Sequence, residues 1–76
     1  MITRAQAKAA RALLGWSQDD LAKRSGVVRR TLMSFETGER DPRDNTLRKI
    51  REAFERAGIE FVNKPAVVGV LLHSPR

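Results

Sequence analysis

The chain has 76 residues, with 15 Lys and Arg against 9 Asp and Glu, for a formal net charge of +6. That length fits one domain, burying about 60% of its unfolded surface, with no room for a substrate-enclosing cleft beside a sensor domain. The absence of Cys excludes a disulfide framework, a thiol nucleophile and a cysteine-based metal site. The single His, His73, lacks the partners that a metal site or a catalytic triad needs. No catalytic residue, metal or cofactor is therefore expected, nor any small-molecule ligand. No apolar run approaches the roughly 20 residues of a membrane span. The N-terminal Met1-Ile2-Thr3-Arg4 passes directly into a polar, Ala-rich stretch with no signal-peptide core. A cytoplasmic protein is expected.

The first helix opens on Thr3, with Gln6 three residues later as a capping box. It runs to about Leu14 on five alanines, the best helix formers, with Ala7, Ala10, Leu13 and Leu14 as its inward stripe. Gly15 ends it. Ser17 and Asp20 form a second capping pair, opening a short helix from Gln18 to about Arg24 in which Leu21 and Ala22 face inward. Ser25-Gly26 is a turn. A third helix spans about Val28 to Thr37, held by Leu32 and Phe35, and stops at Gly38. After the loop 38–43, Asp44 or Asn45 caps a fourth helix lined by Leu47, Ile50, Phe54 and Ala57, which Gly58 closes.

Beyond Gly58 the period changes. Ile59-Glu60-Phe61-Val62 partly alternates, Asn63-Lys64-Pro65 reads as a turn, and Val67–Leu72 is strongly β-favouring. A β-hairpin is expected, with His73 in a disordered tail. The fold class is mainly α, and the chain divides into residues 1–58 and a C-terminal segment, 59–76.

Residues 18–37 carry the information about function. A helix-turn-helix needs a small residue where its helices touch, a tight turn, and apolar residues that clamp the second helix. Ala22 is the small contact, Gly26 the turn, and Leu21, Val27, Leu32 and Phe35 the clamp. Lys23, Arg24, Arg29 and Arg30 place four cations within eight residues with no acid among them. Such a strip attracts phosphate in a salt-dependent way. Eleven of the 15 cations are Arg, whose planar fork suits bidentate contact with phosphates and base edges. The plainer reading of the same charges is a solvated surface.

At these residues the sequence resembles the lambda-repressor-like, Cro/XRE family of helix-turn-helix DNA-binding domains. The matching text is Leu14-Gly15-Trp16-Ser17-Gln18, Leu21-Ala22, Ser25-Gly26-Val27, Arg30-Thr31-Leu32 and Phe35-Glu36-Thr37-Gly38, followed by Arg40, Pro42 and Thr46-Leu47. It covers residues 2 to about 58. The resemblance implies a four-helix bundle whose third helix reads base edges in the major groove. The implied base contacts are Arg29, Arg30 and Ser34, and the implied phosphate contacts are Gln18, Arg40 and Arg43; Lys23, from the basic strip, joins the phosphate set. Arg11 and Glu36 match a pair the family uses as an internal ion pair. Two departures stand out: Val28 replaces the Ser or Thr that usually opens the third helix, and a hairpin stands in place of a fifth helix.

The second strand is apolar on both faces, and an exposed apolar edge invites association. A two-stranded hairpin is also marginal alone. Phe61, Val68, Val70 and Leu72 are therefore expected to form a homodimer interface, so that two reading helices address a near-palindromic operator. The function expected is a sequence-specific, double-stranded DNA-binding transcriptional regulator, a dimeric repressor. The rival is an antitoxin-like or adaptor module whose apolar tail binds a different protein. An enzyme is not expected, because Asp19 and Asp20 are adjacent on a helix and face different ways.

Overall fold

The computed structural model describes residues 2–74. Its elements follow in the order α1 (Arg4–Leu14), α2 (Gln18–Ser25), α3 (Arg29–Thr37), α4 (Asp44–Arg56), β1 (Ile59–Lys64) and β2 (Val67–Leu72). The chain is thus mainly helical, with four helices and an antiparallel hairpin.

Local chemistry sets most helix ends. Thr3 Oγ1 accepts from the Gln6 N–H at 3.1 Å, and Gln6 Oε1 accepts from the Thr3 N–H at 3.0 Å. Ser17 and Asp20 repeat the reciprocal arrangement at 3.0 and 2.9 Å. These boxes satisfy amide donors that a helix N-terminus otherwise leaves free. α2 runs one residue beyond Arg24, because the Ser25 hydroxyl donates to the Leu21 carbonyl at 2.7 Å and accepts from the Val27 N–H at 3.2 Å. α3 starts at Arg29 with Val28 as N-cap, and no side chain caps it. The cap of α4 is Arg43, not Asp44 or Asn45 as expected. Asp44 sits inside the first turn instead, where a carboxylate is favourable beside the positive end of the helix dipole.

Leu21, Leu32, Ile50 and Phe54 are the largest fully buried side chains and bring α2, α3 and α4 together. α1 joins them through Ala7 and Ala10, with Leu14 and Trp16 packed at the margin. Leu13, expected on that stripe, is instead 49% exposed. It lies only about 60° around α1 from buried Ala10, so the packing of neighbouring elements, which leaves a groove open between α1 and β2, exposes it. Ala57 falls just past the end of α4 and is only half-buried.

The hairpin register pairs Ile59 with Leu72, Phe61 with Val70 and Lys64 with Val67. Asn63 and Lys64, expected in the turn, belong to β1, and Pro65-Ala66 makes the connection. The fixed φ of proline suits the first central position of a tight turn. Strand alternation aims Ile59, Phe61 and Val70 at the helices. Phe61 meets Phe54 edge-on at 5.9 Å, and Phe54 stacks on Trp16 at 5.7 Å. A long-range bond completes the attachment: Gln6, 2% exposed, donates from Nε2 to the carbonyls of Gly69 (2.9 Å) and Val62 (3.2 Å).

His73, expected in a disordered tail, is ordered. Its N–H donates to the Gly58 carbonyl at 2.8 Å, and its Nε2 lies 2.6 Å from Glu60 Oε1. Gly58 is required at this junction. Its φ is +100°, and a Cβ there would meet the His73 carbonyl oxygen at 2.8 Å.

Candidate nucleic-acid interface

The clamp behind α3 forms as its residue types dictate. Leu21, Val27, Leu32 and Phe35 are all buried, while Ala22 is half-buried where α2 and α3 pack. An ion pair fixes the helix from the same side. Arg11 donates through Nε and Nη2 to both Glu36 oxygens at 2.8 and 2.7 Å, and through Nη1 to the Trp16 carbonyl at 3.1 Å. The hydrogen bond to Glu36 holds the Arg11 guanidinium above its ordinary pKa, against the opposing effect of burial. Glu36 is 3% exposed and therefore depends on these donors.

With its back held, α3 turns the other face outward. Arg29, Arg30 and Met33 are exposed and Ser34 is half-exposed. A shallow groove of about 440 Å³ runs among Arg29, Arg30, Met33, Ser34 and Glu39. A second, about 310 Å³, continues past Arg30, Ser34 and Glu39 to Arg40. Arg40 is exposed and its N–H donates to the Ser34 carbonyl at 3.2 Å; Arg43 is exposed at the start of α4. Lys23 and Arg30 make no ion pair among the described residues.

Other expected residues are more engaged. Gln18 sits at the first position of α2, but its Nε2 donates to Glu36 Oε1 at 3.2 Å, tying it to the Arg11 pair. Arg24 of the basic strip lies 4.9 Å over the Trp16 ring, and its carbonyl accepts from Arg56 Nη2 at 3.2 Å. Arg29 Nε lies 3.4 Å from Asp19 Oδ1.

Three residues of this face were not singled out from the sequence as contacts. Asp19 and Glu39 are acids among cations, and the Ser34 hydroxyl donates to Glu39 at 3.3 Å. Arg4, from the start of α1, fills the space where a Cβ of Gly38 would stand. It adds a cation at the C-terminal end of α3, where the helix dipole favours one. Distance along the chain conceals the pairing of Asp19 with Arg29 and of Arg4 with Gly38. Only the charge contrast of Asp19 and Glu39 with their neighbours was a visible signal.

Of the expected dimer residues, Phe61 and Val70 are half-buried against the chain's own helices, while Val68 and Leu72 are exposed. No group of three or more His, Asp or Glu that could hold a metal occurs among the described residues. No described helix is long and apolar enough to cross a membrane.

Among curated proteins no sequence matches the chain. The helix-turn-helix family profile matches residues 8–61, which takes in α1 from Lys8, the whole of α2 to α4, and the start of β1. The chain belongs to the Cro/C1-type helix-turn-helix family, whose members are DNA-binding regulatory domains.

Proposed function

We propose that this chain is a sequence-specific repressor that acts in the cytoplasm as a homodimer on a near-palindromic operator. The observation that carries the reading is the division of α3: one face is clamped by Leu32, Phe35 and the Arg11–Glu36 pair, and the other presents Arg29, Arg30 and Ser34. A rigidly backed helix with exposed arginines suits the major groove, where Arg is the natural bidentate donor to guanine O6 and N7. Lys23, Arg40 and Arg43 flank that face and supply phosphate contacts that set register without reading sequence. Gln18 adds one from the N-terminus of α2, where backbone N–H groups favour a phosphate. Bound protein represses by occupying the promoter.

The apolar tail also favours a second reading. Val67, Val68, Leu71 and Leu72 are exposed, a surface that would suit an antitoxin-like or adaptor contact with a different protein. A soluble, folded homodimer made without any partner counts against that alternative.

Selection of bound duplexes from a random pool tests the main reading. A palindromic consensus with guanines in each half-site is the expected result. A pool that enriches no sequence would overturn it.

A further inference from the structure

We infer that a second copy of this chain docks on the open edge of β2, the two β2 strands pairing antiparallel about a twofold axis at Val70. In the same contact, α1 meets its counterpart through Ala5, Ala9, Ala12 and Leu13. This rests on the homodimer reading above and specifies the surface it uses.

The hydrogen-bond parity of the hairpin identifies the edge. His73 donates its N–H to Gly58 at 2.8 Å, so those two residues form a bonded pair. With the observed register, Leu71, Gly69 and Val67 bond to β1 in turn. Val68, Val70 and Leu72 therefore direct their N–H and C=O groups away from β1. Among the described residues the sheet has two strands, and that row has no partner strand. A row of free backbone groups is a template for another strand. A twofold axis requires identical strands to pair antiparallel. The register centred on Val70 uses all three outward positions, matching Val70 with itself and Val68 with Leu72.

The surroundings of that edge fit the same symmetry. A continuous sheet built on a twofold axis puts both copies of α1 on one face, on either side of the axis. There, α1 and β2 already enclose an open groove of about 570 Å³ lined by Ala5, Ala9, Ala12, Leu13, Val68 and Val70. Alanines on the outward stripe let two helix backbones approach closely. Leu13, 49% exposed, and Val68, 61% exposed, supply apolar area to bury.

Charge selects the same place. A copy carrying +6 repels its twin, and this groove is lined by no charged residue. Arg4 and Arg11 fall on other sides of α1, and Lys8 borders the stripe without lining the groove, its long side chain able to carry the charge out to water. The opposite face of the hairpin exposes Val67 and Leu71 but sets them across from Lys64 and Glu60. Joining the strand edges as well as the α1 stripes enlarges the contact toward the roughly 1,200 Å² of total buried area at the lower end of specific interfaces.

Sedimentation of the full chain and its variants tests the assignment. The result expected is that the unchanged chain runs at twice its 8.6 kDa mass. Val68→Pro removes an outward N–H at an edge position, where the monomer tolerates proline. Leu13→Glu places a charge in the α1 stripe without changing a residue of the hairpin. Each weakens the dimer about tenfold or more, with helical circular dichroism unchanged, whereas Val67→Glu leaves it intact. The chain has no native thiol, so Val70→Cys forms an intersubunit disulfide on mild oxidation, bonded strand pairs having Cα atoms about 5.5 Å apart. A dimer that survives Val68→Pro and Leu13→Glu but dissociates with Val67→Glu would overturn the inference and leave the homodimer reading standing. An unchanged chain that stays monomeric, bound to DNA or free, would overturn the homodimer reading itself.

Discussion

Asp19, in the first turn of α2, holds the first residue of α3: its Oδ1 lies 3.4 Å from Arg29 Nε. Because the contact uses Nε, both terminal nitrogens of Arg29 stay free to donate as a pair to guanine. The carboxylate also opposes capture of the side chain by a neighbouring phosphate. Both groups are well exposed, so the pair adds little to stability. Its consequence lies in base reading. Asp19→Ala should raise affinity for random-sequence DNA about two- to fivefold, as expected for an exposed charge. The ratio of operator to random binding should fall at the same time. Competition titrations at fixed salt measure both quantities, and an unchanged ratio would argue against this role.

The arginines of the reading face and of the following loop should separate by phenotype. Arg29→Ala and Arg30→Ala should each lose about 1–3 kcal/mol at one guanine position and relax preference there. Arg43→Ala should weaken all sequences alike and reduce the slope of log K against log salt by about 1. Binding measured across a salt series with matched and mismatched duplexes distinguishes the two patterns.

Glu36 depends on its partners, since it is buried and accepts from Arg11 and Gln18. Glu36→Ala strands the Arg11 guanidinium against the core. Removing one member of a buried pair costs about 3–5 kcal/mol; partial exposure of Arg11 places this one near the lower end. Glu36→Gln keeps one acceptor and should cost less. Urea midpoints at constant m-value report the difference.

The N-terminus of α3 is undercapped. Val28 has extended backbone angles (φ −64°, ψ 145°) that suit an N-cap, but its side chain makes no capping bond. Val28→Ser should stabilise the chain by about 0.5–1 kcal/mol, with little loss from an exposed valine. The added hydroxyl also stands beside the reading face, so operator affinity should rise or hold. A lower melting temperature would contradict the capping argument.

Asp20 should make the start of α2 sensitive to acid. Its hydrogen bonds with the Ser17 backbone and hydroxyl, aided by Lys23 and Arg24, hold its carboxyl below the usual value of 3.8. A pKa depressed on folding adds stability that is present above the unfolded value and is lost as pH falls through the folded one. The stability advantage over Asp20→Asn should therefore be constant near neutrality and shrink below about pH 4. Melting temperatures of both chains across that range provide the check.

Much of the fold is legible in local sequence because its signals act over three or four residues. Thr3 with Gln6, Ser17 with Asp20, and the glycines at 15, 26 and 38 mark helix ends through contacts within one turn. Leu21, Val27, Leu32 and Phe35 at helix-turn-helix spacing mark the clamp, and the partial alternation and then the β-favouring run after Gly58 mark the strands. The basic residues of α3 were equally visible, since Arg29 and Arg30 lie in its first turn whatever the packing angle.

What tertiary structure alone decided is where side chains reach once the elements meet. The sequence determined Gln6 as a capping residue, but its other end bonds Val62 and Gly69, 56 and 63 residues away. The sequence put Leu13 among apolar neighbours, and only the angle at which α1 packs turned it outward beside β2. Asp19 beside Arg29 and Arg4 over Gly38 likewise follow from the crossing of helices, not from their order. Local backbone preferences are short-ranged and additive enough to be read along a chain. The partner of a long side chain depends on the relative placement of distant elements, which the shared core around Leu21, Leu32, Ile50 and Phe54 fixes only when it closes.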